Sequence, residues 1–329
     1  MPAQTVTAGV ENARPGEPAG VRIESSVMPQ APAILDREEY VEQAYFFRVV
    51  RERLAENLPA QEVLRTVHEE ILASTKLPLA IELMATEAEH AGRMSGAMRS
   101  LGHYFAPFQT FVIAQAEADE TKLDMQTALL ALEREAEYRS GEATAAGLFI
   151  YQFEVMSRNV LGYDDGMKAI AADPLLASAV DPEGRPLGEA WHDWVMKLRH
   201  QLGAVDFAEM IYLRSGQRVR DVCQRLDREG GDGAGYEPSF AVLFDERAGR
   251  IAKANRGRDP LYMFAALQRQ LDYPTVPHPQ RKPARPPFEP HVELRFQRLE
   301  AKLLVVENEL KDSPDLSAFL PAAESDPSK

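Results

Sequence analysis

The chain has 329 residues, 37 of them basic and 51 acidic, and its formal net charge of −14 opposes nonspecific binding to nucleic acid or anionic lipid. A hydrophobic content of 45% suits a chain that buries a core, and the length holds two modest domains plus polar ends. A single cysteine, Cys223, excludes an intramolecular disulfide or a cysteine-based zinc cluster and fits a reducing compartment, so a cytoplasmic location is expected.

Met1 to Gln30 lacks the basic and apolar regions of a signal peptide, and no run approaches the ~18 apolar residues of a spanning helix. Residues 1–35 carry five prolines and three glycines without periodicity, the composition of a disordered leader. Asp36, with Glu39 three positions on, predicts a helix start, and Val41, Tyr45, Val49 and Leu54 mark its apolar face. Leu58-Pro59 ends that helix. A second runs from Ala60 to Ser74, and a third starts around Pro78 and reaches about Leu101. Phe108, Phe111 and Val112, then Leu123, Leu129 and Leu132, outline two more. Five helices with short connections predict an antiparallel bundle over 36–139.

A second, mainly helical region is expected over 140–272, with helices at 143–160, 187–202 and 261–271 and a glycine-rich loop at 228–238. Residues 240–244 and 250–254 are predicted to pair as a small β-hairpin, with Gly249 in its turn. Seven prolines between Tyr273 and Pro290 predict a stiff extended linker over 273–290. Over 291–311, Val292, Phe296, Leu299, Leu303, Val306 and Leu310 alternate at spacings of four and three, the seam of a heptad helix. Residues 312–329 are expected to form a disordered tail. The fold class predicted is therefore mainly α.

The order Leu58-Pro59, Gly92-Arg93-Met94-Ser95-Gly96-Ala97-Met98, Tyr104-Phe105-Ala106-Pro107 and Ala116-Glu117 through Leu123-Asp124 to Ala128-Leu129 resembles the cytoplasmic helical domain of F-type platform proteins of type II secretion and type IV pili. Those proteins show a glycine followed by a Leu-Ser-x-Ala-Leu step, an aromatic-proline turn and a Gly-Glu-x-x-Gly-x-Leu step. The resemblance covers 36–139. Ala116 and Glu120 replace both glycines of the last step, and the transmembrane helices of the family are absent. It implies a helical bundle with a protein-binding habit, structural roles for Gly92, Ser95 and Glu117, close helix approach at Gly92, and a partner such as a secretion or pilus motor ATPase.

Other constellations are weighed beside it. Glu87 with His90 and Glu189 with His192 form two Glu-x-x-His pairs, half of a ferritin-like di-metal site, and with further carboxylates they would hold iron or manganese for an oxidoreductase. The bland reading is two exposed helix-face pairs. Arg247, Arg250, Lys253, Arg256 and Arg258 form an acid-free basic stretch; Arg250 and Arg256 are candidates to hold an acidic partner, against a solvated loop that offsets the acidic surplus. No aromatics interleave with these arginines as base-stacking would need, so nucleic acid is not an expected partner. Gly231-Asp232-Gly233-Ala234-Gly235 lacks the ending of a phosphate loop, and Trp191 and Trp194 fit a packed helix face.

The sequence thus favours a non-enzymatic interaction adaptor or scaffold that uses no cofactor. Leu299, Leu303 and Val306 would contact a partner protein or a second copy of the chain. The competing expectation is the iron or manganese oxidoreductase.

Overall fold

The computed structural model describes residues 34–118, 123–201 and 205–278, together with 295, 298, 299, 302 and 303. Two compact units divide the chain, one ending at Pro277 and one running from His278 to Lys329. The expected leader and tail, and most of the heptad segment and linker, lie outside the described residues.

The first unit is built from helices, and its strand-like pairing among the described residues consists of the isolated bridges Val180 to Pro186 and Ser215 to Phe244. Helix α1, Arg37–Ala55, starts with Glu38 and Glu39 in its first turn, where carboxylates offset the helix dipole. Its most extensive neighbour is α6, Met125–Ser140, which Asp124 caps by accepting from the Thr127 N–H at 2.8 Å. Other helices also cover α1, so its buried face is wider than a single stripe and includes Tyr40, Phe46, Phe47 and Val50. Val41, expected on the apolar face, is instead exposed. The periodicity misleads there because two polar residues, Glu39 and Gln43, occupy the core side and are held by hydrogen bonds from Tyr104 and Gln109.

Helix α2, Ala60–His68, buries Val63, Leu64 and Val67 against α3, Leu77–Ala91, each such side chain contributing about 1.5–3 kcal/mol. Pro78 sits in the first turn of α3, where its missing N–H costs nothing. The helix expected to continue to Leu101 stops at Gly92, whose φ of +67° is the left-handed cap glycine accommodates. The chain restarts as α4, Ser95–Ser100, and then α5, Pro107–Glu117.

Helix α7, Ala145–Asn159, is capped by Thr144 and buried on nearly every side from Gly147 to Met156. Phe149 lies within 6.3 Å, ring centre to ring centre, of Phe153, Trp191, Trp194, Phe207 and Phe244. Helix α7 packs on α8, Tyr163–Ala171; α9, Pro174–Ala177; and α14, Pro260–Leu271; its Phe149 meets rings from α10, Gly188–Gln201, and α11, Phe207–Leu213, while α12, Gly216–Arg228, and α13, Glu246–Ala254, pack on α11 and on each other. Trp191 and Trp194 belong to this core, as their spacing predicts. One hydrophobic cluster runs from Ala44 to Val276, and α5 packs on α8, so the boundary expected after Arg139 falls inside a single unit.

The expected hairpin is not formed. Asp245 caps α13 by accepting from the Ala248 N–H at 2.7 Å, and 250–254 is helical. Gly249 serves packing rather than a turn: a Cβ there would lie 2.1 Å from Ser215 Oγ. The glycine-rich stretch consists of turns, with Gly230 at φ +78°. Residues 273–277, expected as the start of the linker, belong instead to the first unit, where Tyr273 and Val276 are buried. Tyr273 Oη donates to Glu154 Oε2 at 2.7 Å, and Asn159 Nδ2 donates to the Pro277 carbonyl at 3.2 Å.

Candidate interaction surface

Glu87, Gly92, Ser95 and Glu117 meet at the corner between α3, α4 and α5. Gly92 reverses the chain, with its N–H bonded to the Ala88 carbonyl at 3.0 Å, and a Cβ there would touch nothing within 4 Å. It is a cap and not the close-approach site expected of it. Glu117, at the end of α5, accepts from the backbone N–H groups of Met94 and Ser95, the latter at 3.2 Å, and so satisfies donors that the start of α4 leaves free. Ser95 is buried beneath this contact.

The corner frames an open cavity of about 430 Å³ lined by Glu87, Arg93, Arg99, Ala114 and Glu117. A second, about 410 Å³, shares Arg99 and Ala114 and extends past Pro107 and Phe111 to Asp165. Together they form a groove along α4 and α5. Arg93 and Arg99 are exposed and make no ion pair among the described residues. Pro107, Phe111 and Ala114 give the groove apolar lining, and the guanidinium groups of Arg93 and Arg99 share it with the carboxylates of Glu87, Glu117 and Asp165.

The two Glu-x-x-His pairs do not come together. Glu87 and His90 lie on α3, which packs on α2 and α4; Glu189 and His192 lie on α10, which packs on α8 and α9. Both histidines are exposed, and His90 Nδ1 stands 2.7 Å from the Thr86 carbonyl of its own helix. Among the described residues no group of three or more histidine, cysteine or acidic side chains is placed to hold a metal ion. The donor set of an iron or manganese centre is therefore not assembled from these residues.

Of the basic candidates, Arg256 is already engaged. Its guanidinium lies 3.8 Å from the centre of the Tyr212 ring and pairs with Glu209, which fastens the chain after α13 to α11. Arg250 is exposed on α13. Leu299 and Leu303 are helical and exposed at 53% and 61%, whereas Val306 lies outside the described residues.

The polar cluster that the sequence reading missed lies deep in the first unit. Arg139 donates to Glu135 Oε1 at 2.7 Å and to both Asp173 oxygens, and Gln152 Nε2 donates to Asp173 Oδ2 at 3.0 Å. Burial pushes the Glu135 carboxyl above its ordinary range against the pull of Arg139. Burial works against the Arg139 charge too, but Asp173 and Glu135 outweigh it and hold the guanidinium protonated. A second cluster joins Tyr104 to Glu39 at 3.0 Å and Gln109 to Gln43 at 3.1 Å; burial first, then Glu39, raises the Tyr104 hydroxyl. Both clusters are enclosed and join separate helices. Their chemistry is that of fixed internal pins.

Comparison with protein-family models, with curated proteins and with solved structures returns no match to this chain. No helix among the described residues is long and apolar enough to cross a membrane.

Proposed function

We propose that the protein is a non-enzymatic interaction adaptor, in which the helical first unit offers the α4–α5 groove and the helix through Leu299 and Leu303 docks on another polypeptide. The observation that carries this reading is the exposure of those two leucines, one helical turn apart on one face. A short isolated helix is marginal in water, so an exposed apolar pair on one needs a cover. Arg93 and Arg99, which line the α4–α5 groove together with Glu87 and Glu117, add a second contact of polar character. The resemblance of 36–139 to F-type platform domains makes a secretion or pilus component, such as a motor ATPase, the first partner to test at the groove.

The test uses Leu299→Asp/Leu303→Asp and, separately, Arg93→Glu/Arg99→Glu. Each full-length variant and the parent are purified from native cells and compared for stably associated chains. The leucine variant is expected to lose association with an unchanged melting temperature, and the arginine variant to lose a different set of contacts. Association unchanged in both variants would refute the adaptor reading.

A further inference from the structure

We propose that the enclosed cluster between α6, α7 and the start of α9 holds a structural proton, carried on Glu135 Oε2 and donated to the side-chain carbonyl of Gln152. Donors and acceptors there do not balance without it. Arg139 gives two hydrogen bonds to Glu135 Oε1, at 2.9 and 2.7 Å, and Gln152 Nε2 gives a third at 3.3 Å. Gln152 Nε2 also donates to Asp173 Oδ2 at 3.0 Å, so both amide hydrogens are spent and the amide orientation is fixed. Two oxygens remain: Glu135 Oε2 and Gln152 Oε1 are buried and have no hydrogen-bond partner. With the carboxyl ionised both are acceptors, and an unmet acceptor in the interior is costly. A neutral acid and a primary amide pair through two antiparallel hydrogen bonds, amide N–H to acid oxygen and acid O–H to amide carbonyl. The first is in place here, and a proton on Oε2 supplies the second.

The two carboxyl groups of the cluster divide the work. Asp173 has donors on both oxygens, Arg139 and the Leu175 N–H on Oδ1, Arg139 and Gln152 on Oδ2. It is held as the anion and matches the single charge of Arg139. Glu135 ionised as well would leave one negative charge over, fully buried, without a counter-ion. Burial, the largest influence on its carboxyl, raises it in agreement.

Other groups do not supply the missing donor. Tyr151 of α7 donates its hydroxyl to the Ala131 carbonyl at 2.7 Å. From α1 the Tyr40 ring lies 5.9 Å from the Arg139 guanidinium, while Glu39 and Arg51 are bonded to Tyr104 and Glu133. Helix α5 carries one acid, Glu117, which is spent on the α4 backbone. The proton thus closes a pH-sensitive joint between α6 and α7; its loss leaves two acceptors with no donor between them.

The experiment is infrared spectroscopy of the full-length chain in the carboxyl region near neutral pH. The folded parent should show a protonated-carboxyl band, which Glu135→Gln deletes. Glu133→Gln should leave it in place, although burial raises that carboxyl too. Gln152→Met should move the band to higher wavenumber, because the acid O–H loses its acceptor. Labelling the parent's glutamate carboxyls with a heavy carbon isotope should shift the band, an arm that needs no variant to fold. A folded parent without the band, a band that survives Glu135→Gln or ignores the label, or one unmoved by Gln152→Met would overturn the proposal. A parent without the band whose melting temperature rises in sodium or potassium chloride over choline chloride would assign the missing charge to a monovalent cation and overturn the proton.

Discussion

Trp194 and Leu198 on α10 and Leu299 and Leu303 in the second unit are the same sequence signal, an apolar pair one helical turn apart. The first pair is 2% and 2% exposed, the second 53% and 61%. The difference lies in what surrounds them. Phe149 and Phe244 pack on Trp194 from other parts of the chain, while the described residues beside the leucine pair are the exposed Arg295, Arg298 and Lys302. An amphipathic period specifies that a face needs covering and leaves open what covers it. In the first unit the cover is intramolecular; for the second we assign it to other chains.

The largest effect should come from the interior of the first unit. Arg139→Met leaves Glu135 and Asp173 buried without their cation and should lower unfolding stability by about 3–5 kcal/mol. Chemical denaturation measures this, and a loss below about 1 kcal/mol would show that the cluster is no pin. Next come the glycines. Gly249→Ala forces a methyl group against Ser215 and Gln217 and should cost about 1–3 kcal/mol through overpacking. Gly92→Ala meets open space and carries only the left-handed backbone penalty of about 1–2 kcal/mol. A Gly249→Ala loss below about 1 kcal/mol would contradict the packing role of Gly249, and a Gly92→Ala loss well above about 2 kcal/mol would contradict the capping role of Gly92.

A smaller effect is expected from pH. The Glu135 carboxyl titrates above its ordinary value in the folded chain, so the folded state holds that proton more tightly than the unfolded state. Its stabilising contribution is complete below the ordinary value of 4.5 and is lost as pH rises through the higher folded value. Stability of the parent should therefore fall relative to Glu135→Gln as pH climbs from about 4.5 toward neutrality. A difference that is flat with pH, or of opposite slope, would mean that Arg139 governs Glu135 more than burial does.

Much of the helical class was legible because apolar spacing and Pro or Asp starts act locally. Asp36 and Pro78 each mark a helix beginning that the structure contains. What escaped depends on partners distant in sequence. Glu135 and Arg139 stand on the same side as Leu132 and Ala136, a placement that could have flagged them as interior charges, but Asp173 and Gln152 are fixed only by the fold. Gly249 read as a turn because local sequence cannot show Ser215 approaching it. Tyr273 read as linker for the same reason: its acceptor, Glu154, lies more than a hundred residues away. At the candidate surface, Gly92, Ser95 and Glu117 were legible as a structural step, although the capping carboxylate and the flanking Arg99 groove needed the α4–α5 geometry.

The measurement closest to the central claim is molar mass and thermal unfolding of Leu299→Asp/Leu303→Asp on the same sample as the parent. If other chains cover that face, the variant loses its associated mass and the first unit melts within about 0.5 kcal/mol of the parent, the range of a surface substitution. An unchanged mass with a clearly lowered melting temperature would place the two leucines in the chain's own core and contradict the account.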